Sequence, residues 1–235
     1  MQVVILAGGL GTRLSEYTHK IPKPMVQIGN IPILEHLINF YTKYGYYDFV
    51  IPVGYKGNVI RDYFRNKKNN KIMSKINLSI VNTGLKTMTG GRIKKIKKYI
   101  KSENFFLTYG DGLSNVDLKK LLKSHINSNS LVTVTAVHPI ARFGEIIIKK
   151  NKVVSFKEKP QIQTGWINGG FFVMNKKIFN YIDNDNTELE KKPLETICKI
   201  GKLNAFKHEG FWQCIDTKKE KDQLELLYKK NKKLW

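Results

Sequence analysis

Short apolar runs alternate with amphipathic stretches along the first half of the chain. Residues 3–7 form an unbroken apolar run that predicts a buried strand. Leu34, Leu37, Ile38 and Tyr41 then recur at helical spacing, with Asn30 ahead of them as the expected cap and Gly45 as the expected stop. The alternation continues with a strand over 48–54, a short helix near 59–64, and a strand over 78–82. Over 92–100 the pattern predicts a helix in which Ile93, Ile96 and Ile100 share one face. Lys94, Lys95, Lys97 and Lys98 largely occupy the rest of it. Residues 105–112 predict a strand ending in a turn. Ser114 and Asp117 resemble a capping box that opens a helix to about Ser128, and 131–137 predicts a further strand.

Strands alternating with helices over short links imply a mostly parallel, doubly wound sheet, in which ligands gather beyond the carboxyl ends of the strands. Residues 144–160 break the pattern. They read as a hairpin turning near Asn151, which is expected to mix antiparallel strands into the sheet. Residues 166–175 and 205–208 predict two more strands, and Thr217 with Glu220 forms a second capping-box pattern before the last helix. No internal repeat and no linker interrupts residues 1–235. The expected architecture is a single α/β domain with a Rossmann-like, mostly parallel mixed sheet flanked by helices and an added antiparallel portion.

Composition narrows the choices. With 235 residues and 41% hydrophobic content the chain is long and apolar enough for a sizeable core. The opening apolar run is too short for a signal peptide or a membrane span, which predicts a cytoplasmic protein with no membrane partner. Two cysteines, Cys198 and Cys214, read as reduced thiols. The net charge of +22 first suggests nucleic acid. The lysines, however, are scattered or line helix faces, and the 65–75 stretch reads as a basic loop. Aromatic–basic alternation, zinc spacing and a helix-turn-helix are all missing, so no nucleic-acid partner is expected.

The chemistry concentrates after the first strand, in Leu6-Ala7-Gly8-Gly9-Leu10-Gly11-Thr12-Arg13. This is neither a P-loop, for no G-K-[ST] follows, nor a dinucleotide fingerprint, whose third glycine would fall on Leu14. Successive N–H groups without Cβ atoms can wrap an anion, and Arg13 adds a forked cation. Lys23 lies nearby between Pro22 and Pro24, which stiffen its segment. A plain glycine turn with a surface arginine and a loop lysine fits these residues too.

The combination of "LAGGLGTRL" with "PKPM" resembles the signature of the sugar-1-phosphate nucleotidyltransferases, and the likeness covers almost the whole chain. "TMTGGRIKK", "TYGDG", "FKEKP", "INGGFFV" and "GFWQCIDT" are most similar to the glucose-1-phosphate cytidylyltransferases within that family. The resemblance implies a nucleotidyltransferase-type fold, with a nucleotide-binding part over about 1–137 and a sugar-binding part over about 138–235. It implies cytidylyl transfer from CTP to glucose 1-phosphate with Mg²⁺ as cofactor, in nucleotide-sugar and polysaccharide biosynthesis. By the same likeness Leu6, Ala7, Gly8, Gly9, Gly11, Thr12, Arg13, Lys23, Thr89, Gly90, Arg92 and Asp111 would bind the nucleotide, with Gly90, Gly91 and Arg92 near the base. Arg13, Lys23 and Asp111 would serve catalysis, and Asp111 with Asp216 would hold the metal. Gly110, Glu158, Lys159, Asn168, Gly169 and Gly170 would meet the sugar phosphate. A homo-oligomer is implied as well.

The segment between about 64 and 78 is shorter here than in those cytidylyltransferases, which bears on subunit packing and on sugar identity. UTP or another phosphorylated acceptor is the near alternative. A glycosyltransferase using Asp183-Asn184-Asp185 and a basic nucleic-acid-binding module are the more distant ones.

Overall fold

The computed structural model describes residues 1–66, 73–139, 145–157, 165–232 and 234–235, without the side chains of Arg13, Met73, Glu145, Ile147 and Lys157. The apolar runs become the strands of a seven-stranded sheet. In chain order these are β1 (Val3–Leu6), β2 (Asp48–Val53), β3 (Asn77–Asn82), β4 (Asn104–Tyr109), β5 (Val132–Val137), β6 (Ile167–Asn175) and β7 (Leu203–His208). Their order across the sheet is β7–β5–β6–β4–β1–β2–β3. All neighbours are parallel except β6, which runs antiparallel to both β4 and β5.

Alternate side chains feed two cores, one on each face. Ile5, Phe106, Phe171 and Val173 join Leu34, Ile60 and Leu224 on one side. Val4, Leu107, Phe172 and Met174 join Ile93, Leu194 and Ile197 on the other. That double burial is why β1 reads as a continuous apolar run rather than an alternating one. Each fully buried Ile or Phe contributes about 1.5–3 kcal/mol. The flanking helices are α1 (Ile33–Lys43), α2 (Gly57–Asn66), α3 (Thr89–Lys95), α4 (Leu118–Ser128), α5 (Lys192–Lys199) and α6 (Lys218–Lys230). Among the described residues no helix is long and apolar enough to cross a membrane.

Four local expectations need correction. Asn30 does not cap α1. It sits with Gly29 in the turn joining Gln27–Ile28 to Ile31–Pro32, and Pro32 precedes the helix. The cap of α4 is Asp117, whose carboxylate accepts from the N–H groups of Lys119 and Lys120. Ser114 instead lies in the short strand Gly112–Ser114, where its hydroxyl donates to the Phe211 carbonyl. Next, α3 starts at Thr89 rather than 92 and gives way to a 3-10 turn at Lys97–Tyr99. The 145–157 hairpin does form, but as a separate two-stranded ribbon. The antiparallel member of the main sheet is β6. The Thr217–Glu220 capping box is present and opens α6.

Candidate active site

Parallel pairing places Leu6, the end of β1, beside Tyr109, the end of β4, and Gly110 donates its N–H to the Leu6 carbonyl at 3.0 Å. The glycine loop and the Gly110-Asp111 turn therefore leave the sheet side by side. Two glycines of the loop answer to packing. Gly11 has φ +67, in the left-handed region, and a Cβ there would lie 2.8 Å from Thr18 Cγ2. At Gly8 a Cβ would sit 2.3 Å from Arg92 Cζ. Gly9 differs, for a Cβ there would meet nothing within 4 Å. Among the described residues no acceptor takes the N–H groups of Gly8, Gly9 and Gly11, and all three glycines line the neighbouring cleft. Arg13 lies in the 3-10 turn Thr12–Leu14 that follows.

Lys23 is the centre of the site. Its segment is a 3-10 turn flanked by Pro22 and containing Pro24. From there the ammonium donates to Asp111 Oδ2 at 2.6 Å and to Asp216 Oδ1 at 2.7 Å. The two acids meet through a long-range pairing. Trp212–Cys214 runs antiparallel to Gly112–Ser114, and Ile215 donates its N–H to the Asp111 carbonyl at 2.9 Å. The Asp216 N–H is in turn held by Glu220 Oε2 at 2.7 Å, at the start of α6. Burial by itself would lower the Lys23 pKa. The charges and hydrogen bonds of Asp111 and Asp216 outweigh it and hold the ammonium above its ordinary range. The carboxylates supply hard oxygen ligands of the kind a divalent cation such as Mg²⁺ takes, and such an ion needs only one or two of them. Among the described residues no cluster of three or more His, Cys, Asp or Glu side chains suits a metal.

Gly8, Gly9, Gly11, Lys23 and Asp111 line a cleft of about 310 Å³ that also takes in Leu6, Ala7, Thr12, Thr89, Arg92 and Gly110, whereas Asp216 lies behind Lys23 and is not among the lining residues. Pro24, Thr87, Met88 and Tyr109 line it too and were not singled out from sequence, although each sits inside a quoted motif. Arg92 is buried, and its guanidinium donates to the Gly8 carbonyl at 2.8 Å, Thr83 Oγ1 at 2.7 Å and the Gly84 carbonyl at 2.8 Å. It ties the glycine loop to the 83–85 turn. Gly90 and Gly91 lie inside α3 with their Cα atoms against other backbone. A Cβ on Gly90 would be 2.7 Å from the Thr187 carbonyl, and one on Gly91 2.4 Å from that of Asp185. Neither is among the residues that line the cleft. Asn168, Gly169 and Gly170 approach through β6, where Asn168 donates to the Tyr109 hydroxyl at 3.2 Å. Glu158 and Lys159 lie outside the described residues. Asp183 pairs with Lys192 at 2.7 Å and Asp185 pairs with Lys95, which commits both acids to structural contacts.

An open α/β sheet that gathers a glycine loop, a buried lysine and two acids at its carboxyl edge defines a nucleotide-handling class of α/β protein. More particularly, the chain belongs to the nucleotidyl transferase family, whose model matches residues 2–217. It is 44% identical over 253 aligned positions to the glucose-1-phosphate cytidylyltransferase of Salmonella typhimurium, covering 100% of this chain and 98% of that protein. A probable glucose-1-phosphate cytidylyltransferase of Bacillus subtilis is 38% identical over 100% of this chain and 99% of its own length. Among solved structures, HddC from Yersinia pseudotuberculosis complexed with GMP-PN matches with a TM-score of 0.73 at 30% identity, over 97% of this chain and 99% of that one. The first alignment is longer than this chain, 253 positions against 235 residues, so that relative has residues missing here.

Proposed function

We propose that this chain transfers the cytidylyl group of CTP to glucose 1-phosphate, giving CDP-glucose and pyrophosphate. A phosphate oxygen of the sugar phosphate attacks the α-phosphorus. One P–O bond forms, the bond to the β-phosphate breaks, and pyrophosphate leaves with the electron pair. Little covalent work falls to the protein in such a transfer, and its task is to position two anions and neutralise them. The observation that carries the reading is Lys23 held between Asp111 and Asp216 beside a glycine loop that lines the cleft.

In this reading Gly8, Gly9, Gly11, Thr12 and Arg13 cradle the triphosphate, and Lys23 braces the α-phosphate region. Thr89 and Arg92 lie on the base side. Lys159, Glu158, Asn168, Gly169 and Gly170 receive the sugar phosphate. Asp111 and Asp216 would hold Mg²⁺, which supplies charge neutralisation at the phosphates when bound. Gly90 supports the reading as a packing element of α3 rather than as a contact. A homo-oligomer working in the cytoplasm completes the proposal. Incubating the protein and Mg²⁺ with CTP, UTP, GTP or dTTP against a panel of sugar phosphates tests it through pyrophosphate release. Release confined to CTP with glucose 1-phosphate is the expected result, and no release from any pair would refute it.

A further inference from the structure

Glu190 belongs to no motif, yet it joins two walls of the cleft. It follows Leu189 in the loop that precedes α5. Its Oε1 accepts from the Tyr109 hydroxyl at 2.5 Å, and its Oε2 accepts from Thr89 Oγ1 at 2.7 Å. Thr89 opens α3, Tyr109 ends β4, and both line the cleft. Thr89 Oγ1 also accepts from the Leu189 N–H at 2.9 Å, so the loop and the helix start are locked together. On the other side of Tyr109, Asn168 Nδ2 donates to the phenol oxygen at 3.2 Å, and Asn168 Oδ1 accepts from the Gly170 N–H at 2.8 Å. Gly170, with φ +74, lies against the Tyr109 ring, where a Cβ would come within 2.6 Å.

The direction of this chain of bonds follows from its last acceptor. A carboxylate can only accept, so both hydroxyls that meet Glu190 must donate to it. With its proton committed to Glu190, the Tyr109 oxygen offers only lone pairs, and Asn168 must meet it with its amide nitrogen. The Gly170 N–H fixes the same orientation from the opposite end. Asn168 is left with one N–H and one carbonyl lone pair of defined sense, and such a pair discriminates among hydroxyls. We infer that Glu190 is a positioning residue for the sugar 1-phosphate, acting through Tyr109 to set the donor and acceptor sense of Asn168. The assignment rests on the proposed function, for it takes Asn168 to face the sugar.

Steady-state kinetics on Glu190→Ala, Glu190→Gln, Tyr109→Phe and the Glu190→Ala/Tyr109→Phe double variant test it. Losing a charge-assisted bond should raise the KM for glucose 1-phosphate about tenfold in Glu190→Ala. In Tyr109→Phe, which leaves the bond between Glu190 and Thr89 intact, the KM for CTP should move by less than about threefold. Glu190→Gln should restore most of the loss, because its amide oxygen can take the Tyr109 proton while its NH₂ donates to Thr89. The double variant should be no worse than Tyr109→Phe alone, since the two residues act in series. Direct titration of CTP into Tyr109→Phe reports whether the nucleotide side is intact. Should Glu190→Ala not fold, Tyr109→Phe must by itself reproduce the selective rise in the glucose 1-phosphate KM. Equal rises for both substrates in Tyr109→Phe, an additive double variant, or a glutamine variant as poor as alanine would overturn the assignment. An active wild type with Glu190→Ala unchanged would overturn it alone, whereas a wild type inactive on every pair would remove the proposed function and the assignment together.

Discussion

Replacing Lys23 by methionine would keep the stem of the side chain and delete the charge between the two acids. Its ammonium lies 2.6 Å from Asp111 Oδ2 and 2.7 Å from Asp216 Oδ1, so those oxygens are at most about 5 Å apart. At that distance and an effective dielectric near 20, two like charges repel by about 3 kcal/mol. The side chains of Lys23 and Asp216 are 11% and 12% exposed, and that of Asp111 is 31% exposed, so water screens Asp111 the more. Breaking a largely buried pair costs about 3–5 kcal/mol, and the wetter partner favours the lower end. Lys23→Met should therefore lose about 3 kcal/mol in urea unfolding at neutral pH with a chelator present. Adding Asp216→Asn should recover about 2 kcal/mol and adding Asp111→Asn about 1 kcal/mol, an order set by burial. In the wild type the folded-state pKa of Lys23 lies above its ordinary 10.5. Its stabilisation is then complete below pH 10.5 and is lost only as the pH climbs through the raised value. Loss under about 0.5 kcal/mol in Lys23→Met, with no recovery from either asparagine, would refute the coupling.

Other outcomes follow from neighbouring geometry. Asp111→Asn should lower kcat by about 10²-fold or more while leaving the unfolding midpoint near that of the wild type, a split checked by pyrophosphate release and urea titration. Gly9→Ala should fold normally, since its Cβ meets nothing within 4 Å, yet raise the KM for CTP. Gly8→Ala should destabilise the protein as well, because its Cβ would lie 2.3 Å from Arg92 Cζ, and thermal melts of the two variants separate the cases. Burial pushes the pKa of His125 down from 6.5 to about 4. As pH falls below 6.5 the unfolded chain takes up a proton that the folded one refuses, and about 2 kcal/mol should be lost by pH 5. His36, also lowered by burial, acts in the same sense, so the smaller pH dependence of His125→Asn isolates the His125 share.

Much of the fold could be read from the chain because its strands are either fully buried runs or clear alternations. The errors share one cause. Where a residue favours two local structures, tertiary contacts decide between them. Gly90 and Gly91 fall outside the helix expected over 92–100, yet they lie within α3, whose backbone packs on the carbonyls of Thr187 and Asp185. Asn30 has the chemistry of a helix cap, but a turn two residues upstream of α1 claims it. Ser114 and Asp117 compete to begin α4, and strand pairing with Trp212 takes Ser114 out of contention.

The site divides along the same line. The glycine loop and Lys23 sit at a strand end and in a stiff turn, where local sequence points to them, and Asp111 is found through the family likeness of its motif. The meeting of Asp111 with Asp216 depends on Cys214 pairing with Gly112, a register that no local periodicity encodes. Glu190 lies in the polar stretch Thr187-Glu188-Leu189-Glu190-Lys191-Lys192, where one glutamate looks like another until Tyr109 and Thr89 are seen to close on it. Lys23 shows why the distant parts matter as a set. Two acids as close as Asp111 and Asp216 would repel each other and an incoming triphosphate alike. A lysine fixed between them cancels half of that charge and attracts both acids, so the cleft can be preformed before any substrate arrives. The three residues make sense only together, and evolving the site without Lys23 would require the acids to move apart.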